Sequence, residues 1–77
     1  MSDVIKTLDL TLYGCPLHYI KAREALNEMR VGQEIELGVN TGDAVDEVLN
    51  SLRKDGQHCE IVSEHTLTSI IKVVKKL

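Results

Sequence analysis

The sequence predicts an α+β two-layer sandwich, with element order β-α-β-α-β-β, a four-stranded mixed sheet and two helices on one face. Three observations predict it. Hydrophobic periods of two residues alternate along the chain with helical periods. Strands that alternate with helices favour right-handed crossovers and a partly parallel sheet. The strands also mix apolar and polar residues instead of being apolar throughout, so one sheet face stays uncovered. The 77 residues suit one domain spanning 1–77, with no internal repeat, linker or low-complexity stretch.

Each element has its own signal. Leu8, Leu10 and Leu12 alternate with Asp9 and Thr11, a half-buried strand that Gly14 ends. Cys15-Pro16 opens a helix running to about Arg30, with Gly32 at its end. Pro16 suits the first helical position because its missing N–H has no partner there anyway. Ile35, Leu37 and Val39 alternate with Glu34, Glu36 and Gly38, a second strand. Asn40-Thr41-Gly42-Asp43 is a turn with cap candidates for a second helix. In that helix Ala44, Val45, Val48, Leu49 and Leu52 form one apolar stripe, stopped by Asp55-Gly56. Cys59, Ile61 and Ser63 alternate with Glu60, Val62 and Glu64, a third strand. Residues 67–74 are rich in β-branched side chains, a fourth. The open sheet face then carries Asp9, Glu34, Glu36, Glu60 and Glu64, offset by Lys72. That row is either a solvated face or a docking surface for a basic partner.

Bulk properties exclude whole classes of function. A domain this small buries only about 60% of the surface its unfolded chain exposes, leaving no room for a large cofactor or deep cavity. No cofactor is expected, and chemistry belongs on the surface, completed by a partner. A net charge of −3 supplies no basic field for direct nucleic-acid binding. No apolar run approaches the roughly 20 residues of a membrane helix. The N-terminus shows no signal-peptide pattern. These features read as cytoplasmic, where two cysteines are thiols rather than a structural disulfide.

The chemistry turns on Cys15. The first N–H groups of a helix lack intrahelical acceptors, and the aligned peptide dipoles add partial positive charge. Both favour a thiolate, the nucleophilic form of cysteine, and a persulfide anion for the same reason. On a helical wheel Cys15, His18, Tyr19, Ala22, Ala25, Leu26 and Met29 share one side. His18 therefore reaches Cys15, and its protonated imidazole would favour the thiolate further. Its other reading is a helix-start residue packed on the sheet with ring nitrogens satisfied by backbone. Leu17 and Ile20 project with the polar side beside Lys21, a patch where a partner could bind. No metal site is expected, since a lone C-x-x-H lacks the second ligand pair of structural zinc. Cys59 alternates with Ile61 on the core side and reads as structural.

These residues also resemble a known family. Asp9-Leu10, a short loop, Cys15-Pro16 and an amphipathic helix, then Val31-Gly32-Gln33-Glu34-Ile35 and Lys54-Asp55-Gly56-Gln57, look like the TusA/SirA-like sulfur carriers over nearly the whole chain. The family hallmark is Cys-Pro-x-Pro. This chain is similar to a divergent member with Cys-Pro-x-His, because His18 stands where the second proline is expected. Leu12 replaces the usual loop glycine, with Gly14 nearby. The resemblance implies a sandwich like the C-terminal domain of bacterial initiation factor three. It implies that Cys15 accepts persulfide sulfur from a cysteine desulfurase or rhodanese-like donor and passes it to an acceptor protein. Family roles include tRNA thiolation, cofactor sulfuration and sulfur oxidation. It further implies parallel first and third strands, which would set Cys15 and Cys59 at opposite ends of the sheet. A second class of function stays open: a non-catalytic redox-sensing or regulatory interaction module.

Overall fold

The computed structural model of the chain describes residues 4–14 and 17–77. Its elements are β1 (Val4–Asp9), α1 (Leu17–Asn27), β2 (Glu34–Asn40), α2 (Asp43–Lys54), β3 (His58–Glu64) and β4 (Thr68–Val74). The strands form one sheet in the order β1-β2-β4-β3. β1 pairs parallel with β2, while β4 pairs antiparallel with both β2 and β3. The sheet is therefore mixed, and β3 runs parallel to β1 and β2. This is the predicted order and architecture.

The core forms where the helix stripes meet the inward residues of the central strands. Ala22, Ala25, Leu26 and Met29 of the first helical segment join Val45, Val48, Leu49 and Leu52 of α2. Opposite them lie Ile35, Leu37 and Val39 of β2, Ile71 and Val73 of β4, and Cys59 of β3. β4 alternates buried and half-buried residues along its whole length, as a central strand covered on one face should. α2 carries Asp43 and Asp46 in its first turn and Arg53 and Lys54 in its last, matching its dipole at both ends. Its N-cap is Gly42, without a side-chain cap. The neighbouring Thr41 hydroxyl instead donates to the His65 carbonyl (2.6 Å). The buried Ser69 hydroxyl must then donate to Thr41 Oγ1 (2.8 Å), since a carbonyl can only accept.

Three boundaries differ from the pattern reading. β1 ends at Asp9, so Leu12 belongs to a turn and stands 90% exposed, not on the inner face of a strand. The Leu alternation continued into the loop by coincidence of residue type. α1 ends at Asn27 rather than near Arg30. Its last turn tightens, with the Glu28 and Met29 amides donating to Ala25 and Leu26 carbonyls three residues back. Third, β3 is irregular between Ile61 and Ser63. Glu60 opposes Lys72 on the open face, but after the irregularity Ser63 opposes Ile70 and Glu64 opposes Ser69. The extra residue reverses the alternation, so Ser63 joins the open face and Glu64 leaves it. Only Asp9, Glu34, Glu36 and Glu60 of the expected acidic row remain there, with Lys72 3.1 Å from Glu60 and 4.0 Å from Glu34. The hydrogen bond to Glu60 raises the Lys72 pKa.

The end of α1 is held by a residue far along the chain. Lys75 Nζ donates to the Leu26 and Met29 carbonyls, both at 2.7 Å. Its backbone joins the same region, donating to Gln33 and accepting from Gly32. α1 has no basic residue in its own last turn, so this cation is supplied from beyond β4. At the end of α2, Gly56 adopts a φ of 92°, and a Cβ there would run into the Leu77 side chain. Lys75→Met should lower stability by about 1–2 kcal/mol through the lost charged hydrogen bonds. Urea denaturation checks this: an unchanged midpoint would show that the lysine holds nothing.

Candidate functional site

The site is built outward from the end of β1. The Leu10 amide donates to the Gly38 carbonyl (2.7 Å), and the Leu10 side chain is buried. Asp9 Oδ1 then accepts from both the Thr11 amide (2.9 Å) and the Thr11 hydroxyl (2.6 Å), a local turn typical of aspartate. Asn40 of β2 donates its side-chain amide to the Thr11 carbonyl (2.9 Å). The Tyr13 amide closes a tight turn onto the Leu10 carbonyl (3.1 Å), leaving Leu12 at the tip. Cys15 and Pro16, the centre of the sequence-based site, lie outside the described residues. Beyond them the His18 amide donates to the Gly14 carbonyl (3.2 Å).

The electrostatic setting differs between the two helices. The first turn of α1 contains no acidic side chain, whereas α2 has two in its first turn. The dipole of α2 is complemented from within; that of α1 is left for an anion from outside the helix.

His18 is buried, with only 3% of its surface exposed. Its Nε2 lies 3.4 Å from Glu47 Oε2 of α2, but the pair lacks hydrogen-bond alignment. Among the described residues neither ring nitrogen has a hydrogen-bond partner. The wheel therefore gave the correct face, and the backbone satisfaction offered as the other reading is not found among the described residues. Glu47 had no signal in the sequence, because nothing local links residues 18 and 47. Tyr19 braces the same helix differently, donating its hydroxyl to Asp55 Oδ2 (2.7 Å) at the end of α2. That bond pushes the Tyr19 pKa up.

Leu17 and Ile20 are both exposed, at 49% and 41%. Lys21 sits 5.8 Å above the Tyr13 ring and 3.7 Å from Glu24. Leu12 and Tyr13 add apolar surface on the loop, which the strand assignment had concealed. Cys59 is a different kind of thiol. Burial pushes its pKa up to about 11, against the opposing influence of Arg53. It lies near the start of β3, at the opposite end of the sheet from Asp9. Among the described residues no group of three or more His, Cys, Asp or Glu is placed to hold a metal ion. No described helix is long and apolar enough to cross a membrane.

The Asp9 turn carries a titration signature. Bonds from Thr11 lower the Asp9 pKa below its ordinary 3.8. A depressed carboxylate stabilises the turn above its unfolded pKa, and that contribution is lost as pH falls through the folded value. The Asp9 carboxyl should therefore titrate below 3.8 by carbon NMR, and Thr11→Val should move the midpoint upward. A midpoint indifferent to Thr11 would remove this bond from the loop's support.

Residues 6–76 match the protein family described as Sulfurtransferase TusA. No curated protein sequence matches the chain. Among solved structures it is similar to a SirA-like protein from Desulfitobacterium hafniense, with a TM-score of 0.80 and 19% sequence identity. That likeness covers 95% of this chain and 100% of the other, and it is a likeness of fold.

Proposed function

The chain belongs to the TusA sulfurtransferase family, and we propose that Cys15 is the atom site at which it carries sulfur between proteins. Family membership supports a sulfur-carrier role in general and protein partners in general. The finer reading is a persulfide relay on one thiol. The Cys15 thiolate attacks the terminal sulfur of a persulfide on a donor cysteine. The donor's S–S bond breaks, its cysteine leaves as a thiolate, and Cys15 carries the transferred sulfur as a persulfide anion. No oxidant is consumed, because a new S–S bond replaces the one that breaks. The acceptor then takes the terminal sulfur in the same way or by another nucleophile.

The family match over 6–76 is the observation that carries the sulfur cargo. Local structure supports the thiol chemistry beside it. An acid-free first turn on α1 favours a bound anion. The described chain on either side is tied in place, at Leu10, Thr11 and Tyr13 before the Cys15-Pro16 pair and at His18 after it. By residue type Pro16 suits the first helical position, and His18 would supply an imidazole three residues from the thiol. Leu17, Ile20 and Lys21 form part of the surface that a partner covers. The donor is a cysteine desulfurase or rhodanese-like protein, the acceptor a downstream protein. The relay needs a reduced compartment, the cytoplasm, and 1–77 acts in it as one domain.

Incubation with a cysteine desulfurase and cysteine should add about 32 Da to Cys15, absent in Cys15→Ser, because a reactive thiolate attacks sulfane sulfur. Mass spectrometry reads this directly. No adduct from either donor class would end the carrier reading, and an oxidised Cys15 without added sulfur would replace it with redox sensing. His18→Ala should slow alkylation of Cys15 near neutral pH by raising its pKa. A rate–pH profile that does not move would take His18 out of the mechanism.

A further inference from the structure

β1 lies at one edge of the sheet, and among the described residues its only strand partner is β2. Its parallel register fixes which backbone groups are already used. The Leu10 amide bonds Gly38, and Leu8 opposes Leu37, so Leu8 and Leu10 direct their N–H and C=O groups toward β2. By alternation, Thr7 and Asp9 direct theirs outward to the free edge. Both residues are exposed. Proline, one of the usual ways of blunting an edge, is absent from β1.

A groove of about 190 Å³ runs beside this edge, lined by Leu8, Tyr13, Lys21, Glu24, Ala25 and Glu28. Four of these, Lys21, Glu24, Ala25 and Glu28, are spaced i, i+3, i+4 and i+7 along α1 and the turn that follows it, a single stripe facing the edge. A strand added to β1 would lie about 4.8 Å farther out, beneath that stripe. Its alternate side chains would enter the groove over Leu8 and Ala25. The groove also reaches Tyr13, two residues before Cys15, so the added strand would lead to the proposed sulfur site.

We propose that the β1 edge and this groove receive an extended segment of a partner protein, apolar at alternate positions and basic between them. The apolar positions match the floor of Leu8, Tyr13 and Ala25. Basic positions face Asp9 on the open side, and Glu24 and Glu28 at the groove add a general attraction for a cationic segment, in a chain of net charge −3. Lys21, the one cation among the described residues lining the groove, is 3.7 Å from Glu24 and does not reverse its sign. A second copy is disfavoured, since it would set the same carboxylates against each other. The proposal rests on the carrier reading for its setting, because a partner must reach Cys15. Its test needs no sulfur.

Cys15→Ser protein, which cannot carry the persulfide, is titrated with a capped heptapeptide of alternating lysine and valine and followed by amide NMR. Saturable shifts should centre on Thr7, Leu8, Asp9, Tyr13 and Ala25, and exchange of the Thr7 and Asp9 amides should slow by about tenfold. A glutamate–valine peptide should produce neither effect. Thr7→Pro removes an outward N–H that the sheet does not use, and binding should weaken by about tenfold. The double variant Glu24→Lys, Glu28→Lys leaves the edge intact and should weaken it by about fivefold, at the level of surface ion pairs. Shifts on another surface, unslowed Thr7 and Asp9 amides, or no saturable binding would overturn the proposal. So would a dimer, seen by sedimentation, that Thr7→Pro abolishes, since a second copy would then own the edge.

Discussion

One backbone bond, from the Leu10 amide to the Gly38 carbonyl, decides where the chain leaves the sheet and turns toward Cys15. It is the last hydrogen bond that β1 shares with β2, and the buried Leu10 side chain pins it from below. Everything beyond is hung from that point: the Asp9–Thr11 turn, the Tyr13 amide, the start of α1. β2 holds the loop a second time two residues later, through Asn40 and the Thr11 carbonyl. A central strand thus acts as the ruler for a surface loop. A buried backbone bond is costly to leave unmade, so the loop cannot shift without disturbing the ladder.

Legibility in the sequence followed the reach of each interaction. The α2 stripe and the alternations of β2 and β4 were legible, because their burial repeats at a fixed local period. The same rule misplaced β1. Leu8, Leu10 and Leu12 look alike in sequence, yet only the first two have sheet beneath them; Leu12 is lifted out by a turn whose anchor is Asn40, 29 residues away. In β3 one extra residue reversed the pattern, and nothing in the composition of Ile61-Val62-Ser63 announces it. At α1 the wheel placed His18 on the buried face but could not name Glu47. The capping of α1 by Lys75 lies at a separation of 46 to 49 residues, invisible to any local pattern.

The two cysteines show how strongly position governs a thiol. Cys59 sits among core side chains, and burial alone lifts its pKa to about 11, which keeps it protonated and inert. A carrier thiol needs the opposite surroundings: access for a partner and positive potential at the sulfur. The first turn of α1 meets the second need by omission, since it holds no carboxylate to occupy the dipole. Chemistry and cargo remain separate inferences. In the proposed role, helix position would account for a reactive thiol; family membership accounts for a sulfur-carrier role in general.

The central place of β4 has a consequence in time. β4 lies between β2 and β3, and it is the last strand in sequence. During synthesis β3 can find no neighbour in the sheet until β4 has emerged, and α1 waits longer still for Lys75. Such non-local closure is slow compared with helix formation. Cys15 therefore leaves the ribosome early and spends that interval on an unfinished scaffold. Under the proposed carrier role, a thiol that draws its reactivity from a completed helix end would become active only when the final strand inserts.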